Sequence, residues 1–197
     1  EFIVLLDADN QIDCKDWLQT ALSAFDLFPD IYGFESHYPR IPNGSALNNY
    51  LTACLHISDP LARDIAATPE IVEAKQAGDR TYRKFLNKPG YPCGANGFIY
   101  RRRDIEPYLG SDTFEEGQVN LALALAGDAT FAMADGCGVR HYYVDSLRQF
   151  LRKRAKIALK HTTRSAERRS WVSYCGRRRV IWPMLHLTFV VPFVYSI

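Results

Sequence analysis

The chain opens on an unbroken apolar run, Phe2 to Leu6, that stops at Asp7. Such a run predicts a buried strand, of the kind that parallel sheets of α/β proteins cover on both faces. From Asp13 to Phe28 the spacing turns helical, with Trp17, Leu18, Ala21, Leu22 and Phe25 at steps of three and four. Asp13 is the candidate cap, and Pro29-Asp30 is the stop. Ile31 to Tyr38 predicts a second strand, closed by Pro39 and Pro42, which completes a βαβ unit. Ser45 to Leu86 is mostly helical in pattern, interrupted by Pro60, Pro69 and Gly78, and suggests no chemistry. A Gly- and Pro-rich loop, Gly90 to Gly97, precedes a short strand, Phe98-Ile99-Tyr100, and then Arg101-Arg102-Arg103. Thr113 to Ala126 predicts a helix opened by Glu115 and Glu116 and closed by Gly127. Acids in a first helical turn suit the macrodipole whatever else they do. Further strands are expected at Ala129–Ala134 and Val139–Val144. A helix over Ser146–His161 follows, with Leu147, Phe150, Leu151 and Ala155 on one side and a dense basic face on the other. The fold class this predicts is α/β, without internal repeats.

Composition adds limits. The 197 residues are 47% hydrophobic and 23% charged, one domain's worth of globular protein, which excludes disorder, collagen-like repeats and a disulfide scaffold. The net charge of +2 conceals three compartments. Residues 1–147 carry 12 Lys/Arg against 21 Asp/Glu, residues 148–179 carry 12 against Glu167 alone, and the last 18 carry none of either. The five cysteines, Cys14, Cys54, Cys93, Cys137 and Cys175, form no Cys-x-x-Cys pair, so zinc-ribbon and thioredoxin chemistry lack support. Reduced thiols facing the cytoplasm are the expectation. There is no initiator Met or signal peptide, and the chain stops inside an apolar run, so both ends read as cut.

The strongest candidate for chemistry is Asp7-Ala8-Asp9 at the end of the first strand. Two carboxylates at i and i+2 can face a crevice at the sheet's carboxyl edge, where open α/β sheets bind ligands. Paired hard oxygens attract Mg²⁺ or Mn²⁺. An EF-hand fails, because its Gly position holds Ile12 and its closing Glu position holds Leu18. Left open are a phosphatase-like hydrolase with an aspartyl nucleophile, a metal pair for a nucleotide diphosphate, and a plain polar turn. A second constellation bears on the choice: Pro92-Cys93-Gly94-Ala95-Asn96-Gly97, whose glycines let backbone approach a ligand, then Phe114-Glu115-Glu116, then His141 at a strand end, then Gln149-Phe150-Leu151-Arg152.

In this order and spacing the chain, from about Glu1 to His161, resembles the family 2 glycosyltransferases, which have the nucleotide-diphospho-sugar transferase (GT-A) fold. Leu5-Leu6-Asp7-Ala8-Asp9 is similar to that family's Asp-x-Asp segment, Gly94-Ala95-Asn96-Gly97 to its glycine loop, and Phe114-Glu115-Glu116 to its acidic base motif. Gln149-Phe150-Leu151-Arg152 resembles the Gln-x-x-Arg-Trp motif of membrane-associated members. The resemblance implies a mixed sheet flanked by helices and an inverting transfer of sugar from a nucleotide-diphospho-sugar to a hydroxyl of a polysaccharide, lipid-linked or glycolipid acceptor. It implies Asp9 and His141 as ligands of Mg²⁺ or Mn²⁺, with Asp7 acting through water or on the ribose. Glu116 would be the general base, Glu115 its partner, and Arg152 a counter-charge to the diphosphate. Gly94, Ala95, Asn96, Gly97 and Gln149 would line the substrate pocket. The sequence departs from the family twice, with Glu116 where Asp is usual and Lys153 where processive members have Trp. The strands that hold base and ribose in that fold would lie upstream of Glu1, so residues 1–197 alone are expected to transfer no sugar.

Domain organisation follows: the transferase part over 1–161, a basic juxtamembrane linker over 162–179, and the start of a transmembrane segment over 180–197. Those last 18 residues span about 27 Å as a helix, enough for a bilayer core. Pro183 and Pro192 argue for a kinked or interfacial course, with a buried helix of the globular domain as the alternative. Arg177-Arg178-Arg179 before the run favours the membrane and puts the catalytic part on its cytoplasmic side. Anionic lipids suit the basic stretch. A membrane-tethered basic binding module is the non-catalytic alternative, but nucleic acid is not an expected partner, because no recognition motif accompanies the charge.

Overall fold

The computed structural model describes residues 1–52, 66–94, 96–108, 116–127, 129–163 and 171–187. A six-stranded mixed sheet forms its centre, in the order β1-β6-β3-β7-β5-β4, beside a two-stranded ribbon of β2 and β8. The strands are β1 (Phe2–Leu5), β2 (Asn10–Ile12), β3 (Gly33–Phe34), β4 (Glu70–Ala77), β5 (Arg80–Leu86), β6 (Phe98–Arg101), β7 (Thr130–Ala134) and β8 (Val139–His141). The helices are α1 (Trp17–Leu27), α2 (Ala46–Thr52), α3 (Arg102–Ile105), α4 (Glu116–Ala126), α5 (Leu147–Thr163) and α6 (Arg178–Leu187).

Strand β6 runs antiparallel to both β1 and β3, and β3 runs parallel to β7. Strands β1, β3 and β7 therefore point the same way, and their carboxyl ends share one edge with the loop that enters β6. Two apolar layers cover the sheet. On one face Trp17, Ala21, Ala24 and Phe25 of α1 pack with Phe28, Ile31, Phe34, Ile99 and Ala132. On the other, Val119 and Leu123 of α4 pack with Phe85, Phe98, Tyr100, Ile105 and Phe131. The expected α/β class, with a mixed sheet flanked by helices, is what the chain forms.

Four expectations are corrected. The opening strand is not buried on two sides: β1 lies at the sheet edge, and Phe2, Val4 and Leu6 remain exposed because among the described residues its one strand neighbour is β6. Helix α1 begins at Trp17 rather than Asp13, whose carboxylate pairs instead with Arg140 of β8. Within the stretch read as mostly helical, residues 70–86 form a hairpin, with Gly78 at φ +59° supplying the left-handed turn. Its outer strand β4 is exposed, Ile71 and Val72 included, and carries charge along its length: Lys75 and Lys88 pair with Glu73 and Glu70. That composition suits an edge strand that must not recruit another. Finally, Cys14 and Cys137 are joined in a disulfide, with Cα atoms 5.7 Å apart, so two of the thiols expected to be reduced are not. The chain path brings them together because β2 and β8 pair, although 123 residues separate them.

Candidate metal centre

Site residues meet where β1 ends and the ribbon begins. Asp9 leads directly into β2, and Asn10 is in register with His141 of β8. The Tyr142 N–H donates to the Asp9 carbonyl at 2.9 Å, and the Asn10 N–H to the Asp7 carbonyl at 3.1 Å. The ribbon thus sets two side chains face to face, with His141 Nε2 lying 3.3 Å from Asp9 Oδ1. His141 is 6% exposed, its ring flanked by those of Tyr38 and Tyr143. Burial lowers its pKa below the ordinary 6.5, against the opposing pull of the Asp9 charge. A neutral imidazole keeps a lone pair for a ligand.

The fit of a divalent ion follows from these distances. Two neighbouring ligands of an octahedral Mg²⁺ or Mn²⁺ at about 2.1 Å stand about 3 Å apart, close to the separation found between Asp9 Oδ1 and His141 Nε2. Carboxylate and imidazole are suitable donors for Mn²⁺, and the carboxylate for Mg²⁺. Asp7 is not a third direct ligand in this arrangement: with Asp9 and His141 it forms no trio whose ligand atoms lie within 4.8 Å of one another. Its charge still reaches His141, which suits contact through water. Among the described residues the trio that meets that distance is Cys14, Asp16 and Cys137. There the two sulfurs are bonded to each other and Asp16 accepts a forked pair from Arg80 at 2.9 and 3.1 Å.

The glycine loop closes over the pair. Asn96 Nδ2 is 3.5 Å from His141 Nε2, and its carbonyl accepts from the Tyr38 hydroxyl at 3.1 Å. The Gly97 N–H donates to the Leu5 carbonyl at 2.7 Å, which fastens the loop to the strand that delivers Asp7 and Asp9. The Gly97 carbonyl accepts from Ser36 Oγ, which itself accepts from the Trp17 indole of α1. At Gly94, φ is +92°, and a Cβ would sit 1.8 Å from Asn120 Nδ2 and 2.4 Å from the Tyr100 hydroxyl. Only glycine fits there, so Gly94 serves close packing beneath the loop. Ala95 lies outside the described residues.

The acidic pair is described in part. Glu116 is the first residue of α4, and Glu115 lies outside the described residues. The expected pocket residues of α5 divide differently from the expectation. Gln149 turns back on its own helix, accepting from the Asp145 N–H at 2.7 Å, and Arg152 is exposed. The cation beside Asp9 is instead Lys153, 3.6 Å from Oδ2. Its helical position gave no signal, because it lies away from the side marked by Leu147, Phe150 and Leu151, and of these Leu147 and Leu151 are exposed. Asn48 was missed as well: buried on α2, it donates to the His141 carbonyl and accepts from the Val144 N–H, both at 3.0 Å.

No protein-family model, curated protein or solved structure matches the chain. No helix among the described residues is long and apolar enough to cross a membrane, and residues 188–197 of the expected span lie outside the description.

Proposed function

We propose that this chain carries the metal-binding and acceptor-side part of an inverting glycosyltransferase of the GT-A type, using a nucleotide-diphospho-sugar with Mg²⁺ or Mn²⁺. The reading rests above all on the Asp9–His141 pair, 3.3 Å apart at the edge where parallel strands end and a glycine loop enters. A divalent ion held there would stabilise the departing diphosphate. Asp9 and His141 hold the ion, Asp7 orients water or ribose, and Asn96 with Gly97 borders the sugar. Glu116, at the start of α4, takes the proton from the acceptor hydroxyl as it attacks the anomeric carbon, so the configuration inverts. Arg152 and the basic face of α5 favour an anionic surface, either lipid headgroups or a lipid-phosphate acceptor. The exposed apolar residues of α6, Val180, Ile181 and Met184, suit a membrane-associated course.

The test uses the full-length gene product with Mn²⁺, a membrane fraction as acceptor, and a panel of radiolabelled nucleotide-diphospho-sugars. The expected result is label in polymer or lipid, with nucleoside diphosphate released and no transfer by Glu116→Gln, which still binds donor. Release of inorganic phosphate instead would point to the phosphatase-like hydrolase. Undiminished turnover by Glu116→Gln would remove that residue as the base.

A further inference from the structure

We infer that Lys153 is a resident counter-cation of Asp9, which weakens the site for a bare divalent ion and so favours an ion that arrives with its diphosphate. This rests on the metal-site reading above and assigns a positioning role to a residue outside the recognised motifs. Three observations carry it. The Lys153 ammonium lies 3.6 Å from Asp9 Oδ2, on the carboxylate oxygen that His141 does not face. It also donates to the Tyr143 carbonyl at 2.6 Å. Lastly, it stands 4.4 Å from the centre of the Tyr143 ring. Tyr143 is two residues beyond His141, so the segment that delivers one metal ligand also anchors the cation. The ammonium is held in place by groups other than Asp9 and stays when the carboxylate takes a new partner.

An ion on Asp9 Oδ1 and His141 Nε2 would lie within a few ångströms of this ammonium. At about 5 Å, a double and a single positive charge repel enough to weaken binding about tenfold even at the dielectric of water. A nucleoside diphosphate complex of the same ion has net negative charge and meets the opposite effect. The Lys153 ammonium has three N–H donors, and Tyr143 occupies one. An anion beside Asp9 finds the others. A site with two carboxylates and no lysine would instead fill with free ion.

The experiment titrates the protein with Mn²⁺ alone, followed by the electron paramagnetic resonance signal of the free ion, and then with the Mn²⁺ complex of uridine or guanosine diphosphate. Wild type is expected to prefer one of the complexes to the bare ion. Lys153→Met and Lys153→Gln should bind bare Mn²⁺ about tenfold tighter and lose that preference, and Lys153→Arg should behave as wild type. Two neutral variants guard against one that misfolds, as judged by circular dichroism. Equal or weaker binding of bare Mn²⁺ in the folded neutral variants overturns the inference, as does a wild type that takes the bare ion as tightly as the complexes. If Asp9→Asn binds Mn²⁺ as wild type does, the metal site itself falls, and this inference with it. Intact binding at Asp9 with no response to Lys153 removes the inference alone.

Discussion

Replacing Asn48 by Ala isolates the link between the fold and the candidate site. Asn48 is 3% exposed, and its amide joins α2 to the exit of β8 through the His141 carbonyl and the Val144 N–H. Truncation leaves that acceptor and that donor buried without the amide, each at a cost of about 1–3 kcal/mol. The sum is about 3 kcal/mol, with a small further loss from the cavity. For a domain of this length that corresponds to a melting temperature lower by about 10 °C. The same change frees the backbone behind the His141 ring, so Mn²⁺ affinity should fall about tenfold, as when an outer support of a ligand is lost. Asn49→Ala is the control. Asn49 makes two comparable bonds, accepting from the Ile41 N–H at 2.8 Å and donating to the Ile41 carbonyl at 3.1 Å, away from His141. Urea denaturation and Mn²⁺ titration of both variants test the reasoning. Similar destabilisation in both, with weakened Mn²⁺ binding only in Asn48→Ala, is expected. A loss below about 1 kcal/mol for Asn48→Ala, or an equal effect of both on Mn²⁺, refutes it.

Two further predictions concern cysteine and histidine. Reducing Cys14–Cys137 opens a loop of 123 residues, which in the chain-entropy account removes up to about 5 kcal/mol of stability. The urea midpoint should therefore fall in dithiothreitol, and a Cys14→Ser variant should start low and ignore the reductant; an unchanged midpoint in wild type would contradict the cross-link. Burial lowers the pKa of His141 in the folded metal-free protein, so the unfolded chain binds the proton more readily. Stability is then complete above pH 6.5 and is lost as pH falls from 6.5 towards the folded value. His141→Gln should show a shallower loss of stability between pH 7.5 and 5.5, and an unchanged slope would show that the ring titrates freely.

Elements defined by a run or a period were legible in the sequence. Phe2–Leu5, the helix around Ala21 and Phe25, Phe98–Tyr100 and the basic helix after Ser146 all formed close to where the pattern put them. The hairpin of residues 70–86 was not legible. Glu-Ile-Val-Glu-Ala-Lys-Gln-Ala has the composition of a helix, and only pairing of β5 with β7 makes it a sheet edge. Propensity gives way there to tertiary context. The burial of β1 was misjudged for the converse reason: an apolar run records what a strand can bury, and its neighbours decide how much it does. At the candidate site, Asp9 and His141 were nominated by motif and lie together. Lys153 and Asn48 came from no motif, because their contacts depend on which face of α5 and α2 meets β8.

The ribbon of β2 and β8 explains why Asp9, rather than Asp7, meets the histidine. Asp9 adjoins Asn10, the residue in register with His141, and its carbonyl receives the Tyr142 N–H. Whatever shifts β8 along β2 therefore carries His141 with respect to Asp9, and ladder hydrogen bonds on both sides resist that shift. Asp7 sits on the other side of the turn closed by the Asn10 N–H, on a chain segment whose fastening is to β6 and the glycine loop. Two carboxylates only two residues apart are thus held by different frameworks. One is fixed against the His141 imidazole; the other shares the fastening of the glycine loop to the end of β1. The burden of rigidity falls on the ribbon, where the Cys14–Cys137 bond and the Asp13–Arg140 ion pair join the ladder hydrogen bonds in resisting slippage of β8 along β2.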